Sequence, residues 1–297
     1  MLFAKKSAAE KRAALRAALS SGKLQRFPGV FSPLVAMLIE ELGFDGVYIS
    51  GAVLANELGL PDIGLTTMTE IAQRGRQIAR VTELPSIIDI DTGFGEPMNA
   101  ARTVQELEEL GLCGCHMEDQ VNPKRCGHLD NKIIIERTEM VRKLHAAADA
   151  KRDKNFLLIA RTDAREPEGL AAAIDRAKAY VDAGADMIFP EALADEGEFE
   201  KMRIAVKVPL LANMTEFGKT KLLEAKTIER LGFNIVIYPV TALRLAMKAI
   251  EDGYAAIKRD GTQSGIVDRM QTRKRLYELL RYEDYTEFDK DVFNFRV

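Results

Sequence analysis

Short apolar runs alternate with longer, charged amphipathic segments along most of the chain. In four places a charged segment ends at a glycine and is followed by an apolar run that finishes on polar residues. These units span residues 41–50, 109–118, 182–191 and 230–238. Glycine ends helices because it tolerates a left-handed backbone, and a short apolar run suits a strand buried on both faces of a parallel sheet. Each unit therefore predicts a helix followed by a parallel strand.

Four further apolar runs complete a set of eight predicted strands. They cover residues 26–31, 85–91, 156–161 and 209–213. Apolar spacing typical of helices lies between the runs, at residues 99–110, 135–148, 168–183 and 241–258. Thr67-Met68-Thr69-Glu70 has the sequence of a capping box, which predicts the start of one more helix.

Eight alternating strand and helix units predict an α/β protein with the architecture of a (β/α)8 TIM barrel, formed as a single domain by residues 1–297. An open doubly wound sheet is the alternative, but Gly93 and Gly95 lack the third glycine of the dinucleotide-binding fingerprint. Residues 263–297 depart from the repeat and are predicted to form a helical, aromatic C-terminal tail. Its aromatic residues include Tyr277, Tyr282, Tyr285, Phe288, Phe293 and Phe295. A tail this apolar is expected to dock on the barrel or on a neighbouring subunit.

The N-terminal segment carries several basic residues among alanines. They are Lys5, Lys6, Lys11, Arg12 and Arg16. Glu10 interrupts them and no small-residue cleavage site follows an apolar core, so a surface helix is predicted here and not a transit peptide.

Composition excludes several function classes. The 297 residues are 47% hydrophobic and 29% charged, with a net charge of −3 and no strongly basic block, which argues against a nucleic-acid partner. No apolar run approaches the ~20 residues of a membrane-spanning helix. Three cysteines do not make a disulfide framework, so a reducing, cytoplasmic location is expected. Cys113 and Cys115 are one residue apart, unlike zinc ligands, and are interpreted as buried strand residues.

Polar residues recur at or just beyond the ends of the predicted strands. They are Ser50, Asp89, Asp91, Glu118, Arg161, Asp163, Glu191, Asn213 and Tyr238. In a (β/α)8 barrel the carboxyl ends of all strands meet on one rim, where the active site lies. Any one of these residues alone would be an ordinary polar cap, but their recurrence on nearly every strand predicts an active site.

The run Pro123-Lys124-Arg125-Cys126-Gly127-His128 joins a thiol, two cations and an imidazole. A cation beside a cysteine is expected to lower the thiol pKa and make it a usable proton donor or nucleophile. The carboxylates of Asp62, Asp89, Asp91 and Glu118 form an oxygen-only ligand set, which suits Mg²⁺ or Mn²⁺ and not zinc, with some acids acting through water. Five cations are candidates for binding substrate carboxylates: Arg161, Arg244, Arg273, Lys124 and Arg125. Of the three histidines, His128 is expected to be functional, His116 internal and His145 on the surface.

These motifs resemble the isocitrate lyase and phosphoenolpyruvate mutase superfamily over nearly the whole chain. The resemblance is carried by residues 124–128, by Asp89-Ile90-Asp91-Thr92-Gly93-Phe94-Gly95 and by Glu118-Asp119-Gln120. Residues 213–218, Tyr238-Pro239 with Arg244, and residues 271–277 are most similar to the 2-methylisocitrate lyase family within it. The resemblance implies Mg²⁺-dependent cleavage of 2-methylisocitrate to pyruvate and succinate, in the methylcitrate route of propionate breakdown. It also implies a last helix exchanged between subunits and a homotetramer built as a dimer of helix-swapped dimers.

The resemblance further implies roles for individual residues. Asp89 and Asp91 would hold the metal, Asp91 most directly, with Asp62 and Glu118 in support through water. The implied substrate-binding residues are Ser50, Gly51, Ala52, Lys124, Gly127, His128, Arg161, Glu191, Asn213, Met214, Thr215, Arg244 and Arg273. Ala52 stands where a second glycine is common in the superfamily, and its methyl group is expected to tighten the site slightly.

The implied mechanism assigns two catalytic side chains. Cys126 would protonate the succinate carbanion as general acid, and Tyr48 or an acid near the metal would remove the substrate hydroxyl proton. Phe189 is either part of the pocket for the substrate methyl group or ordinary barrel core. Alternative activities are those of an isocitrate or dimethylmalate lyase or of an oxaloacetate decarboxylase. A non-catalytic metabolite-binding barrel is the alternative of another class, and the combination of thiol, acids and cations argues against it.

Overall fold

Eight parallel strands form a closed barrel in the computed structural model, which describes residues 4–293. The strands are β1 Gln25–Pro28, β2 Val47–Ile49, β3 Ser86–Asp89, β4 Gly114–Glu118, β5 Leu157–Thr162, β6 Met187–Pro190, β7 Leu211–Asn213 and β8 Ile235–Tyr238. Continuous ladders join β2 through β6 in order and β1 to β8 to β7. Single bridges between Gly29 and Tyr48 and between Ile188 and Leu210 join the two groups. The predicted (β/α)8 barrel is therefore confirmed, and the open sheet is excluded.

Helices follow the strands around the barrel. Those before and within the barrel are α1 Ala8–Ser20, α2 Pro33–Glu41, α3 Gly51–Glu57, α4 Met68–Ala79, α5 Pro97–Glu109, α6 Arg137–Asp149, α7 Leu170–Asp182, α8 Glu196–Ala205, α9 Ala225–Arg230 and α10 Thr241–Asp260. The capping box at Thr67 and Glu70 is present, and the four helices predicted from apolar spacing are confirmed within two residues at each end. Within residues 4–293 no helix is both long and apolar enough to cross a membrane.

The barrel interior is filled by one continuous cluster of large apolar side chains. Its members include Phe27, Tyr48, Ile87, Leu157, Ile159, Met187, Phe189, Leu211, Ile235 and Ile237. Alternate strand residues point outward and pack against the helices, as the two-residue period of a strand requires. Cys115 on β4 and Cys113 directly before it are both fully buried, which confirms their interpretation as structural residues.

Helix α1 lies across the amino-terminal ends of the strands. Leu15 and Leu19 pack into the interior cluster. Lys11 and Arg12 are also buried, and their side chains donate hydrogen bonds to backbone carbonyls at the ends of neighbouring elements, including Ala79 O at 2.9 Å. The predicted surface helix is thus confirmed: Glu10, Ala13 and Ala17 are exposed, whereas Lys11 and Arg12 on the inner face find carbonyl partners inside the fold.

The described part of the C-terminal tail consists of a 3₁₀ turn, Ser264–Arg269, and of helices α11 Arg273–Leu279 and α12 Tyr282–Phe293. Arg275 on α11 pairs with Glu41 on α2, and the rings of Tyr277 and Tyr282 stack with centroids 4.8 Å apart. Phe295 lies outside the described residues, as does the side chain of Phe293. The exchange of this tail between subunits stays a prediction.

Candidate active site

The carboxyl ends of neighbouring strands bring the predicted polar residues together. Parallel register pairs Asp89 on β3 with His116 on β4, and Glu118 on β4 with Arg161 on β5. Glu191 follows β6 directly, and Asn213 is the last residue of β7. Five of these six residues, all except Asn213, are buried, so the pairing of their charges decides how stable the site is.

Lys124 lies at the centre of a cluster of acids. Its Nζ is 2.9 Å from Asp91 Oδ1 and also contacts Asp62, while the residue itself is only 3% exposed. Burial opposes the charged form, but Glu118, Asp91 and Asp62 outweigh it and hold the pKa of Lys124 well above its usual value. One ammonium group thus balances several carboxylates where little water reaches them.

Asp89 and Asp91 are oriented by the backbone around the end of β3. Asp89 accepts hydrogen bonds from the N–H groups of Gly51 at 3.2 Å and Asp91 at 3.0 Å. Asp91 follows the strand end in a left-handed conformation, with φ at 47°, which turns its side chain to the same side as Asp89. Burial and the nearby charge of Asp89 raise the pKa of Asp91 to about 6 against the opposing effect of Lys124. Asp89 is the last residue of β3, and Asp91 lies two residues beyond it.

Glu118 and Arg161 form the next part of the rim. Arg161 Nε is 3.2 Å from Glu118 Oε2 and 2.9 Å from Asp163 Oδ2, and its guanidinium lies over the ring of Phe189. Neither Glu118 oxygen accepts a well-formed hydrogen bond from the described residues, and burial raises the pKa of this carboxyl well above its usual value. A buried carboxylate without donors is costly, so these oxygens are suited to a cation or to water bound beside one.

Glu191 is held directly by two neighbouring side chains. His128 Nε2 is 2.8 Å from Glu191 Oε1, and Asn213 Nδ2 donates to both Glu191 oxygens at 3.2 and 3.3 Å. Burial opposes ionisation, but Arg161, His128 and Lys132 lower the pKa of Glu191 far below its usual value. Because His128 Nδ1 accepts the backbone N–H of Lys219 at 3.0 Å, a neutral His128 carries its proton on Nε2 and donates it to Glu191.

The Cys126 thiol faces an environment different from the one its neighbours in sequence suggest. Burial raises its pKa above the ordinary value. The expectation that adjacent cations lower this pKa is wrong, because Lys124 turns into the acid cluster and Arg125 is exposed. The thiol form is therefore favoured, which suits a proton donor better than a nucleophile.

Residue 127 has to be a glycine because the backbone of the Cys126 loop lies very close to side chains of the rim. A Cβ atom at this position would lie 2.4 Å from Arg161 Nη2 and 2.5 Å from Glu191 Cγ. The Gly127 carbonyl accepts a hydrogen bond from Lys132 Nζ at 2.6 Å, and Lys132 also pairs with Asp163 at 3.1 Å. The structure thus adds Lys132, a buried cation that sequence reasoning missed because no motif marks it.

A second layer of polar groups supports the rim from below. Asp119 accepts hydrogen bonds from Tyr180 Oη, from Thr162 Oγ1 and from the backbone N–H of Asp163, all between 2.7 and 2.8 Å. Arg176 lies 3.7 Å from the same carboxylate. The acidic sequence around Asp119 was a visible signal, but Tyr180 and Arg176 lie on α7, where they look like ordinary helix residues.

Tyr48 lies inside the barrel next to His116. The Tyr48 hydroxyl is 2.7 Å from His116 Nε2, and the two rings stack. Burial raises the pKa of Tyr48 well above 10 and lowers that of His116 to about 4, so the phenol and the neutral imidazole are the stable forms. His116 is internal and His145 is on the surface, as expected. Phe189 is fully buried between His116 and Arg161.

The remaining candidates lie at the edges of the site. Ser50 is buried without a capping hydrogen bond, and a Cβ at Gly51 would lie 3.0 Å from Asp89 Oδ2. Ala52, the next residue of α3, is half-buried. Asn213 is followed by the buried Met214 and Thr215.

The two predicted arginines outside the strands have different surroundings. Arg244 on α10 is 2.6 Å from Glu216 Oε2, donates to the Glu216 carbonyl and lies over the ring of Phe217. Its charge is thus already paired. Arg273 begins α11 in an exposed position and, within residues 4–293, pairs with none of the rim side chains. Arg273 is therefore a predicted substrate-binding residue that does not reach the rim within a single chain.

Comparison with known proteins identifies the family. The family model described as phosphoenolpyruvate phosphomutase matches residues 15–258. The chain belongs to the phosphoenolpyruvate mutase and isocitrate lyase superfamily. Two proteins of Corynebacterium glutamicum, named probable 2-methylisocitrate lyases 1 and 2, are 62% and 61% identical to it; each alignment covers 96% of this chain, and 94% and 93% of the relatives respectively. With relatives of this name and identity, the chain is a lyase.

Solved structures agree with this family. A 2,3-dimethylmalate lyase has a TM-score of 0.90 at 31% identity, covering 97% of this chain and 96% of its own. An oxaloacetate acetylhydrolase in complex with 3,3-difluorooxalacetate has a TM-score of 0.90 at 33% identity, covering 98% and 99%. A phosphonopyruvate hydrolase in complex with oxalate and Mg²⁺ has a TM-score of 0.86 at 33% identity, covering 94% and 98%. The superfamily resemblance read from the motifs is confirmed.

Proposed function

We propose that this enzyme cleaves 2-methylisocitrate to pyruvate and succinate with the help of Mg²⁺, or of Mn²⁺ in its place, as a step of propionate breakdown by the methylcitrate route. The observation that carries the proposal is the composition of the rim: a cluster of acids, a buried arginine with neighbouring N–H donors for carboxylates, and a protonated thiol. The relatives from Corynebacterium glutamicum, which share 61–62% of its residues, support 2-methylisocitrate over other substrates.

The acids of the rim fit a hard divalent cation. Glu118 has two buried oxygens without hydrogen-bond donors among the described residues, and its backbone N–H donates to the Asp91 carbonyl at 2.9 Å, which makes the two residues neighbours. Among residues 4–293, no group of three or more His, Cys, Asp or Glu side chains is arranged so that it could hold a metal ion by itself. Mg²⁺ keeps several waters, so in this proposal Asp91 would hold it most directly, with Asp89, Asp62 and Glu118 acting through water. The bound ion would stabilise the substrate alkoxide as a Lewis acid.

The other half of the rim suits the carboxylates of the substrate. Arg161 presents a buried guanidinium whose position is fixed by Asp163 and Phe189. Asn213 and His128 offer further N–H donors beside Glu191. Donors held in place before the reaction stabilise charge that develops on the succinate carboxylate as the carbon–carbon bond breaks, because they need no reorganisation.

Cys126 is the proposed general acid that protonates the succinate carbanion. Its raised pKa keeps the proton on sulfur at neutral pH, which is the form a donor must have. The candidates for the base remain Tyr48 and an acid of the metal cluster. With its pKa raised well above 10 by burial, Tyr48 holds its own proton, and this observation favours the acids.

A substrate panel tests the proposed activity. Turnover of 2-methylisocitrate, isocitrate, 2,3-dimethylmalate and oxaloacetate would be compared with and without Mg²⁺. The readout is loss of substrate with identification of the products by NMR, because isocitrate would release glyoxylate and not pyruvate. We expect 2-methylisocitrate to have the highest kcat/KM and activity to be lost on chelation. A higher kcat/KM for any other substrate would replace the proposed activity, and tight binding without turnover would indicate a non-catalytic barrel.

Metal binding should weaken in acid. Because the pKa of Asp91 is raised to about 6, the carboxyl is protonated below that pH, and protons then compete with the ion. The apparent Kd for Mg²⁺ should rise about tenfold between pH 7 and pH 5, as competition by one group of this pKa requires. Titration calorimetry with MgCl₂ at the two pH values measures the change, and equal affinities would remove Asp91 as a direct ligand.

We also propose a homotetramer in which the C-terminal tail contacts a second subunit. The outer face of α10 exposes a stripe of large apolar side chains, and α12 exposes another. They include Met247, Ile250, Tyr254, Tyr285 and Phe288. Large exposed apolar patches mark interaction sites, and two of them on separate elements suit two kinds of subunit contact.

Deleting the chain after Tyr282 should reduce the size of the oligomer and the melting temperature. The deletion removes most of α12, and burial of each large side chain is worth about 1.5–3 kcal/mol. Sedimentation and thermal unfolding measure both effects. Tyr285→Ser combined with Phe288→Ser should act in the same direction, whereas Lys290→Ser on the same helix should not. Unchanged mass and melting temperature in the truncated protein would show that the tail is dispensable.

A further inference from the structure

The loop that follows β7, residues 214–224, docks onto the loop that carries Cys126. The contact is centred on His128. Its Nδ1 accepts the backbone N–H of Lys219 at 3.0 Å, while its other ring nitrogen faces Glu191. His128 is therefore fixed from two sides, by the rim and by the second loop.

Gly218 makes this approach possible. A Cβ atom at residue 218 would lie 2.7 Å from His128 Nδ1 and 3.0 Å from its Cε1 and Cγ. Real Cβ atoms do not come this close to ring atoms, so any other residue would force the two loops apart. The backbone of Gly218 is not in the left-handed region, so the glycine is needed for space and not for its conformation.

The side chain of Lys219 adds a second connection. Its ammonium contacts Asp130, which follows His128 in the Cys126 loop, and lies 3.7 Å from Glu166 in the loop after β5. Asp130 is largely exposed, so this ion pair contributes less than the buried contact with the imidazole. Lys219 nevertheless links three loops that come from three different strands.

Movement of His128 is transmitted to Cys126 over a short distance. The backbone of His128 hydrogen-bonds the Cys126 sulfur, and the N–H of Leu129 donates to the Cys126 carbonyl at 2.9 Å. The two residues thus share one tight turn. Displacing the imidazole would displace the thiol.

We propose that Gly218 and Lys219 are positioning residues, which dock the β7–α9 loop onto His128 and so hold the Cys126 thiol over the rim. They do not touch the reacting atoms. The loop they belong to also carries Met214 and Thr215 and the Glu216 carboxylate that pairs with Arg244, so the docking couples substrate-binding groups on one loop to the proton donor on the other.

Reactivity of the Cys126 thiol tests the docking without any substrate. Cys113 and Cys115 are fully buried, so a maleimide should label Cys126 alone in the folded protein, and peptide mass spectrometry can check the site. Gly218→Ala should raise the labelling rate at least about fivefold, because a loop that opens more often exposes the thiol more often. Gly265→Ala is the matched control, since a Cβ there meets no atom within 4 Å. Equal rates in the two variants would overturn the proposal.

Turnover gives the second measurement. The proposed role in catalysis rests on the proposed lyase activity, whereas the labelling result does not depend on it. A failure of the docking proposal can therefore be distinguished from a failure of the proposed activity. With 2-methylisocitrate, Gly218→Ala should lower kcat about tenfold or more at unchanged melting temperature, with a smaller change in KM, because it misplaces the proton donor. A fall in melting temperature that accounts for the lost activity would overturn the positioning role.

Lys219→Ala provides an independent variant if Gly218→Ala does not fold. It keeps the backbone N–H and removes only the side-chain link. We expect labelling of Cys126 to accelerate about twofold to threefold, the smaller effect of an exposed ion pair. Lys221→Ala in the same loop is the control, because Lys221 is exposed. The same labelling rate in both lysine variants would count against the proposal.

Discussion

Cys126→Ser should retain binding of pyruvate and succinate but lose most cleavage activity. Serine nearly preserves the size of the side chain, and Gly127, packed against Arg161 and Glu191, keeps the loop in place. A hydroxyl is a far weaker acid than a thiol, whose ordinary pKa is about 8.5, so it does not readily protonate the succinate carbanion. General acid catalysis contributes about 10²–10⁴-fold, and kcat with 2-methylisocitrate should fall by at least that order.

Two measurements decide the interpretation of that variant. If kcat falls less than about tenfold, which is below the contribution of a general acid, Cys126 is not the proton donor. If calorimetry shows that product binding is lost as well, the role of the loop is structural. The pH dependence is a further check. Because the pKa of the Cys126 thiol is raised, the thiol stays protonated up to a pH above its ordinary pKa. Wild-type kcat should therefore fall only above that pH, as the proton leaves the sulfur.

The barrel could be predicted from sequence because its local signals agree. Glycines at residues 43, 111, 184 and 232 have positive φ values and end the turns before β2, β4, β6 and β8, where the repeated unit predicted strands. The predicted surface helix α1 is present, but the burial of two of its cations was not predicted. Lys11 and Arg12 are buried because exposed backbone carbonyls at strand and helix ends accept their hydrogen bonds, and such partners are distant in sequence. Helix α3, directly after β2, was also not predicted.

The location of the site could be predicted, but the pairing of its charges could not. Parallel strands bring Asp89, Glu118 and Arg161 together by geometry alone. Which charge meets which depends on loop conformation. Lys124 turns towards Asp91 and Asp62, and the thiol two residues later is left with a raised pKa. Proximity in sequence predicted the opposite effect, because it ignores burial.

The contact between loops is likewise invisible in the sequence. His128 and Lys219 are 91 residues apart, and each belongs to a motif that looks complete by itself. In the sequence Gly218 resembles an ordinary turn glycine, and only the structure shows that it packs against the ring of His128. Residues that act by holding two loops together leave no local pattern, whereas a strand end or a capping box does.

Asp91→Asn should abolish Mg²⁺-dependent turnover while the fold remains intact. Asparagine is the sharper substitution than alanine here, because φ at residue 91 is 47° and asparagine tolerates this left-handed conformation. The variant therefore removes charge with little backbone strain. A metal that stabilises the alkoxide contributes several kcal/mol, and each 1.36 kcal/mol corresponds to a tenfold change, so kcat/KM should fall about 10³-fold or more. Asp182→Asn on the exposed face of α7 is the control. An Asp91→Asn enzyme that keeps most of its activity in Mg²⁺ would show that Asp91 is not the metal ligand. The Asp91 carboxylate would then serve mainly as the partner of Lys124.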